Sequence, residues 1–217
     1  MSKNPDRDFT GDYLRAILRG DRPAASRLVI EARNAGASVM DLYEEVIGPA
    51  MQSLGDMWYR DEVTVAQEHV ATAVTELILT RCYEWLLDDI DPEIYGSAVL
   101  ACPGEELHQV GLRMFSDVLD AVGMDSYYCG PRTPAEEIPG IVGEVEARLL
   151  ALSVSMPTHL PVLKATLQRV RQNDPRVLIL VGGRAVGAGR RMLDELDVRV
   201  SSNIRDGLKI VREELSD

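Results

Sequence analysis

Positive charge is scarce in this chain, and lysine scarcer still. Only 3 of its 23 basic residues are lysine, against 35 acidic residues, for a net charge of −12 and a pI near 4.7. The deficit is spread along the chain: residues 1–90 carry 9 basic and 16 acidic groups, and residues 91–217 carry 14 and 19. Binding to a phosphate backbone depends on a basic surplus, so direct nucleic-acid binding is not expected. No apolar run approaches the roughly 18 uncharged residues of a membrane span. The opening "MSKNPDRDFT" has no apolar stretch to serve as a secretory signal, and the expected location is the cytoplasm. Cysteine is represented by Cys82, Cys102 and Cys129 alone. Their odd number and wide spacing argue against a disulfide framework or a CxxC metal knuckle and fit a reducing compartment. Histidine is equally rare, with His69, His108 and His159. No Ser-His-Asp or Cys-His arrangement has a workable spacing, so no catalytic turnover is expected.

The rest is ordinary for a globular protein: 46% hydrophobic and 27% charged over 217 residues, enough for one large or two modest domains. Hydrophobic periodicity changes near residue 90. In residues 1–90, apolar positions recur at three- and four-residue spacing and predict a four-helix bundle. Ser38 and Asp61 are the expected caps of the third and fourth helices. Val63, Ala66, Val70, Val74 and Leu77 are the expected core stripe of the last. The acidic, proline-containing "LLDDIDPEIYG" reads as the linker. Residues 91–217 alternate short apolar runs, "GSAVLACP", "MDSYYCG", "LLALSVS", "VLILVGG" and "VRVSS", with helical patterns. This predicts an α/β domain with a five-stranded parallel sheet, Rossmann-like in the flavodoxin sense, after an all-α first domain. Ligands on such sheets bind at the carboxyl ends of the strands.

The chemistry-bearing residues follow those strands. "CPGEELHQVGLR" places Glu106, His108 and Gly111 after the first strand, where a carboxylate can hold one imidazole nitrogen while the other binds a metal. After Gly111 come 41 residues and then Ser153 and Ser155 in "SVS"; 26 more lead to Gly182 and Gly183. These elements resemble the D-x-H-x-x-G, S-x-L and G-G pattern of the cobalamin-binding domain shared by methionine synthase, corrinoid methyltransfer proteins and B12-dependent light sensors. Glu106 stands in place of the usual Asp, and Ser155 where Leu is common. The resemblance implies that His108 is the lower axial ligand of cobalt. It also implies that Ser153 and Ser155 bond the buried base of the nucleotide tail, and that the paired glycines let the backbone approach that tail. His159, in "SMPTHLPVL", reads as structural or tail-lining, with Thr158 capping the helix after it. Cys102 and Cys129 read as small buried hydrophobes.

In the first half, "WYRDEVTVAQEH" matches W-x9-E-H, which photoreceptors of the light-responsive repressor type carry in the helical domain above the cofactor. By that resemblance Trp58 packs against an upper 5′-deoxyadenosyl group and Glu68 hydrogen-bonds it. His69 binds cobalt from above once light has broken the cobalt–carbon bond. The expectation is a B12-dependent photoreceptor using adenosylcobalamin. Its alternative is a corrinoid shuttle between two methyltransferases, which would not need Trp58, Glu68 and His69. An adenosylcobalamin mutase subunit is disfavoured, because it would need a substrate barrel. The sequence shows no helix-turn-helix ahead of the bundle, so the expected output is a protein partner, a separate effector enzyme or a light-dependent homo-oligomer. Some stand-alone relatives with a similar layout bind a linear tetrapyrrole, and that resemblance leaves room for a non-covalent bilin such as biliverdin as a second chromophore, supported by no residue pattern here.

Overall fold

The computed structural model describes residues 7–94 and 96–215. The chain divides into two compact units, Met1–Asp89 and Ile90–Asp217.

The first unit is helical. Helices α1 (Phe9–Leu18) and α2 (Arg22–Asn34) are followed by a continuous helical segment. That segment runs through α3 (Val39–Asp41), a π-helical stretch (Leu42–Ile47) and α4 (Gly48–Tyr59); α5 (Val65–Asp89) completes the unit. Asp8 and Asp21 cap α1 and α2 by accepting from the backbone N–H of Gly11 and Ala24. Ser38 caps α3 as expected, in a reciprocal box with Asp41.

The expectations for the start and face of α5 need correcting. Asp61 lies at φ +57°, in the left-handed turn that ends α4. The cap is formed by Thr64 and Gln67: Gln67 N–H donates to Thr64 Oγ1 at 3.2 Å, and Thr64 N–H donates to Gln67 Oε1 at 2.8 Å. This is a capping box on the T-x-x-Q of "TVAQ". Of the expected stripe only Val63 and Val74 are buried; Ala66, Val70 and Leu77 are exposed. The buried face is instead Ala71, Val74, Thr75, Ile78, Leu79, Cys82 and Leu86. It includes Thr75 because the hydroxyl of buried Tyr13 pairs with it at 3.2 Å. Helix α5 also continues through the first four residues of the expected linker, where Leu86 is buried.

The second unit alternates strand and helix: β1 (Gly96–Pro103), α6 (Val110–Ala121), β2 (Met124–Thr133), α7 (Ile138–Glu144) and β3 (Leu149–Ser153). A short 3-10 turn (Pro157–His159) leads into α8 (Leu160–Asn173), followed by β4 (Leu178–Gly182), α9 (Val186–Asp194), β5 (Arg199–Val200) and α10 (Ile204–Leu215). The sheet is parallel throughout, in the order β2-β1-β3-β4-β5. Strands β1, β3 and β4 are apolar nearly throughout because helices cover both faces. From β1 the chain winds outward to β2, then returns to place β3 on the other side of β1. That reversal opens a crevice at the carboxyl ends of β1 and β3. Cys102 is buried as expected; Cys129 is exposed, because β2 is an edge strand whose outward residues lack a covering layer.

Candidate functional site

The crevice gathers the residues picked out by the sequence. β1 ends at Pro103, which cannot donate to a continuing ladder, and Gly104 turns the chain at φ +69°. The following loop is fastened to the end of β2. Gly104 N–H donates to the Thr133 carbonyl at 2.8 Å, and Arg132 N–H donates to the Glu106 carbonyl at 2.9 Å. Arg132 sits at φ +53° to do so, and its guanidinium pairs with Glu105 at 2.7 Å. So anchored, the loop turns Glu106 inward, at 0% exposure, and leaves the His108 side chain 48% exposed.

Glu106 is the centre of the site. Its Oε1 accepts from His108 N–H at 3.0 Å and pairs with His108 Nδ1 at 2.5 Å. Its Oε2 accepts from the backbone N–H of Ser155 at 2.8 Å and of Met156 at 3.1 Å, and pairs with His159 Nδ1 at 3.1 Å. Burial alone would push this carboxyl up. The His108 imidazole and the backbone N–H groups of His108, Met156 and Ser155 outweigh that and hold it well below the ordinary carboxylate range. The charge in turn sets the imidazole tautomer. With Nδ1–H on the carboxylate, the lone pair of His108 resides on Nε2, the arrangement of a metal-ligating histidine. Under the loop, burial first and the Glu106 charge second raise the Cys102 thiol to about 12, which keeps it protonated and inert.

The remaining expected residues line the same end of the sheet. Ser153 ends β3 and is in register with Gly182 at the end of β4. Gly183 lies at φ +100°, and a Cβ there would come within 2.3 Å of the Val154 carbonyl oxygen, so only glycine fits. A Cβ on Gly111, in the first turn of α6, would meet nothing within 4 Å. Gly111 therefore faces open space, in which a ligand could approach the backbone. Ser155 contributes its backbone N–H to Glu106. His159, expected to be structural or tail-lining, belongs to this cluster through its Nδ1 on Glu106. Thr158 is no cap: the N-cap of α8 is His159, with no side-chain capping bond. The available clue was topological, since the loop after β3 must face the loop after β1 across the crevice.

In the helical unit, Trp58 is half-buried at the end of α4, and Glu68 and His69 lie in the first turn and a half of α5. Glu68 accepts from the Thr72 hydroxyl at 2.7 Å, and its other oxygen stands 3.6 Å from His69 Nε2. The His69 side chain is 66% exposed. Tyr59, Val65, Val70 and Leu77 are also exposed.

Among the described residues no group of three or more His, Cys, Asp or Glu forms a cage for a bare metal ion. One imidazole suffices for a metal that brings its own equatorial nitrogens, and the donor set at His108 fits such a group. Sequence comparison decides which. Residues 96–206 match the profile of the B12 binding domain, and residues 11–83 match a second profile of the same description. This chain belongs to the B12-binding family. That membership supports cobalamin as its ligand. Over 194 residues the chain is 29% identical to the HTH-type transcriptional repressor CarH of Myxococcus xanthus, matching 89% of this chain and 63% of that protein. It is 27% identical over 190 residues to monomethylamine corrinoid protein 1 of Methanosarcina acetivorans, covering 83% and 85% of the two chains. The fold matches the monomethylamine corrinoid protein of Methanosarcina barkeri with a TM-score of 0.79 at 18% identity, over 97% of this chain and 99% of that one. The chain thus spans somewhat less than two thirds of the CarH relative, while its fold corresponds to a corrinoid protein along nearly its whole length.

Proposed function

We propose that this B12-binding protein is a light sensor in which adenosylcobalamin is the chromophore and the helical unit reads the state of its upper ligand. When bound, adenosylcobalamin would supply a corrin ring that absorbs visible light and a cobalt–carbon bond that light cleaves. The chain's residues do the rest. His108 Nε2 would hold the cobalt, Ser153 and the Gly182-Gly183 turn would accommodate the nucleotide tail, and Trp58 would offer its apolar face to the adenosyl group. Glu68 would hydrogen-bond that group, and His69 would be the side chain of this unit able to offer an imidazole nitrogen to the metal. A change of ligand becomes a change in the helical unit, passed to a protein partner, a separate effector enzyme or a second copy of the chain, with no turnover by this protein. The observation that carries this reading is the W-x9-E-H set, with Trp58 at the end of α4 and Glu68 and His69 near the start of α5, together with the exposure of the His69 side chain.

A second reading, a corrinoid shuttle carrying a methyl group between methyltransferases, is supported by the likeness to the monomethylamine corrinoid proteins along the whole chain. One spectroscopic experiment separates the two. Protein loaded with adenosylcobalamin in the dark is exposed to green light, alongside His69→Ala. A sensor gives a stable new absorption spectrum that His69→Ala does not form. The sensor reading fails if both proteins give the same products. Biliverdin added to the same samples tests the bilin: a second chromophore adds a red band that remains after gel filtration.

A further inference from the structure

Two of the chain's three imidazoles direct Nδ1 at a single buried carboxylate. His108 approaches Glu106 Oε1 from two residues along the chain, and His159 approaches Oε2 from 53 residues along it. The last torsion of a glutamate is soft and roughly two-fold, so the orientation of this carboxylate is set by its donors. Oε2 takes three of them: the backbone N–H groups of Ser155 and Met156, and the His159 ring. The His159 ring is held in turn. Its backbone N–H closes the Pro157–His159 turn on the Met156 carbonyl at 3.0 Å, and its side chain is only 22% exposed, so water competes poorly for Oε2.

We propose that His159 is a positioning residue for the axial imidazole, acting through Glu106. Three donors converging on Oε2 mean that rotating the carboxylate breaks three bonds at once, which keeps Oε1 on His108 Nδ1 and leaves Nε2 as the nitrogen that would bind cobalt. The same arrangement joins the loop after β1, which carries the axial ligand, to the loop after β3, which carries Ser153 and Ser155. This rests on the reading of His108 as lower ligand, and the test separates failure of the one from failure of the other.

The protein is produced with 15N-labelled histidine, loaded with hydroxocobalamin, reduced to the cob(II) form and examined by electron paramagnetic resonance. An axial 15N from the protein splits each cobalt line into a doublet, whereas the 14N of the cofactor's own base gives a triplet. Wild type is expected to show the doublet. His159→Leu should lose the doublet in much of the population and retain hydroxocobalamin about tenfold more weakly, the usual effect of removing a residue that orients a metal ligand. His159→Asn should restore both, because its amide nitrogen can occupy the position of Nδ1. His159→Asp has the same size but sets an acceptor against the carboxylate, and should behave as Leu does. If His159→Leu does not fold by circular dichroism, the contrast between Asn and Asp decides. A normal doublet and affinity in the Leu or Asp variant overturns the proposal, as does an Asn variant as impaired as Leu. A triplet in wild type would instead overturn His108 as ligand, and this inference with it.

Discussion

Replacing Glu106 by glutamine changes one oxygen into an amide nitrogen of the same size, and the site is ill suited to that exchange. The new NH2 must face one of two donor sets. One is His108 N–H and Nδ1; the other is Ser155 N–H, Met156 N–H and His159 Nδ1. Facing the smaller set costs less, because the His108 ring can move its proton from Nδ1 to Nε2 and accept from the amide. One N–H, that of His108, is then left without an acceptor. An orphaned buried donor costs about 1–3 kcal/mol, and three surviving bonds lose charge assistance of about 1 kcal/mol each. The expected loss is about 4–6 kcal/mol, read as a lower urea midpoint by far-UV circular dichroism and faster amide exchange at His108. Both tryptophans, Trp58 and Trp85, lie in the helical unit, so their fluorescence is the internal control. The tautomer change also places a proton on Nε2, so Glu106→Gln should fail to ligate cobalt even where it remains folded. An unchanged midpoint together with wild-type cobalamin retention would refute the assignment of Glu106 as the anchor of the site.

Gly183→Ala should cost at least about 2 kcal/mol, since it combines a left-handed backbone with a Cβ 2.3 Å from a carbonyl oxygen; thermal unfolding of the cofactor-free protein measures it. Thr64→Ala removes half of the capping box at α5 and should destabilise the helical unit by about 1 kcal/mol, seen as faster exchange at the Gln67 amide. Acid provides another test. Because the folded-state pKa of Glu106 is depressed, its stabilisation is complete above the ordinary carboxyl value of 4.5 and is lost progressively as pH falls below it. Wild type should therefore lose stability in the second unit below about pH 4.5 more steeply than Glu106→Gln, in which that proton uptake is absent.

Much of this was legible in the sequence, for physical reasons that also explain the errors. A strand buried on both faces must be apolar at successive positions, so "GSAVLACP" gave both bounds of β1 correctly. The E-x-H-x-x-G, S-x-S and G-G elements could be placed because parallel sheets concentrate loops at one edge. Helix α5 misled because it has two apolar stripes. Ala66, Val70 and Leu77 repeat as well as Ala71, Val74 and Ile78 do, and periodicity does not tell a packed face from an exposed one. Thr75 argued locally against the true face, yet its hydroxyl has a partner in Tyr13, 62 residues away. The partner of His159 was not legible for a related reason. It lies on another loop, and only the strand order that sets β3 beside β1 brings the two together.

The most direct test of the account is the retention of hydroxocobalamin by wild type and by His108→Ala, measured by absorption after gel filtration. The account predicts that wild type keeps the cofactor with the spectrum of a protein imidazole on cobalt. His108→Ala should bind at least tenfold more weakly, or leave the cofactor's own base on the metal. Equal retention with identical spectra would contradict it.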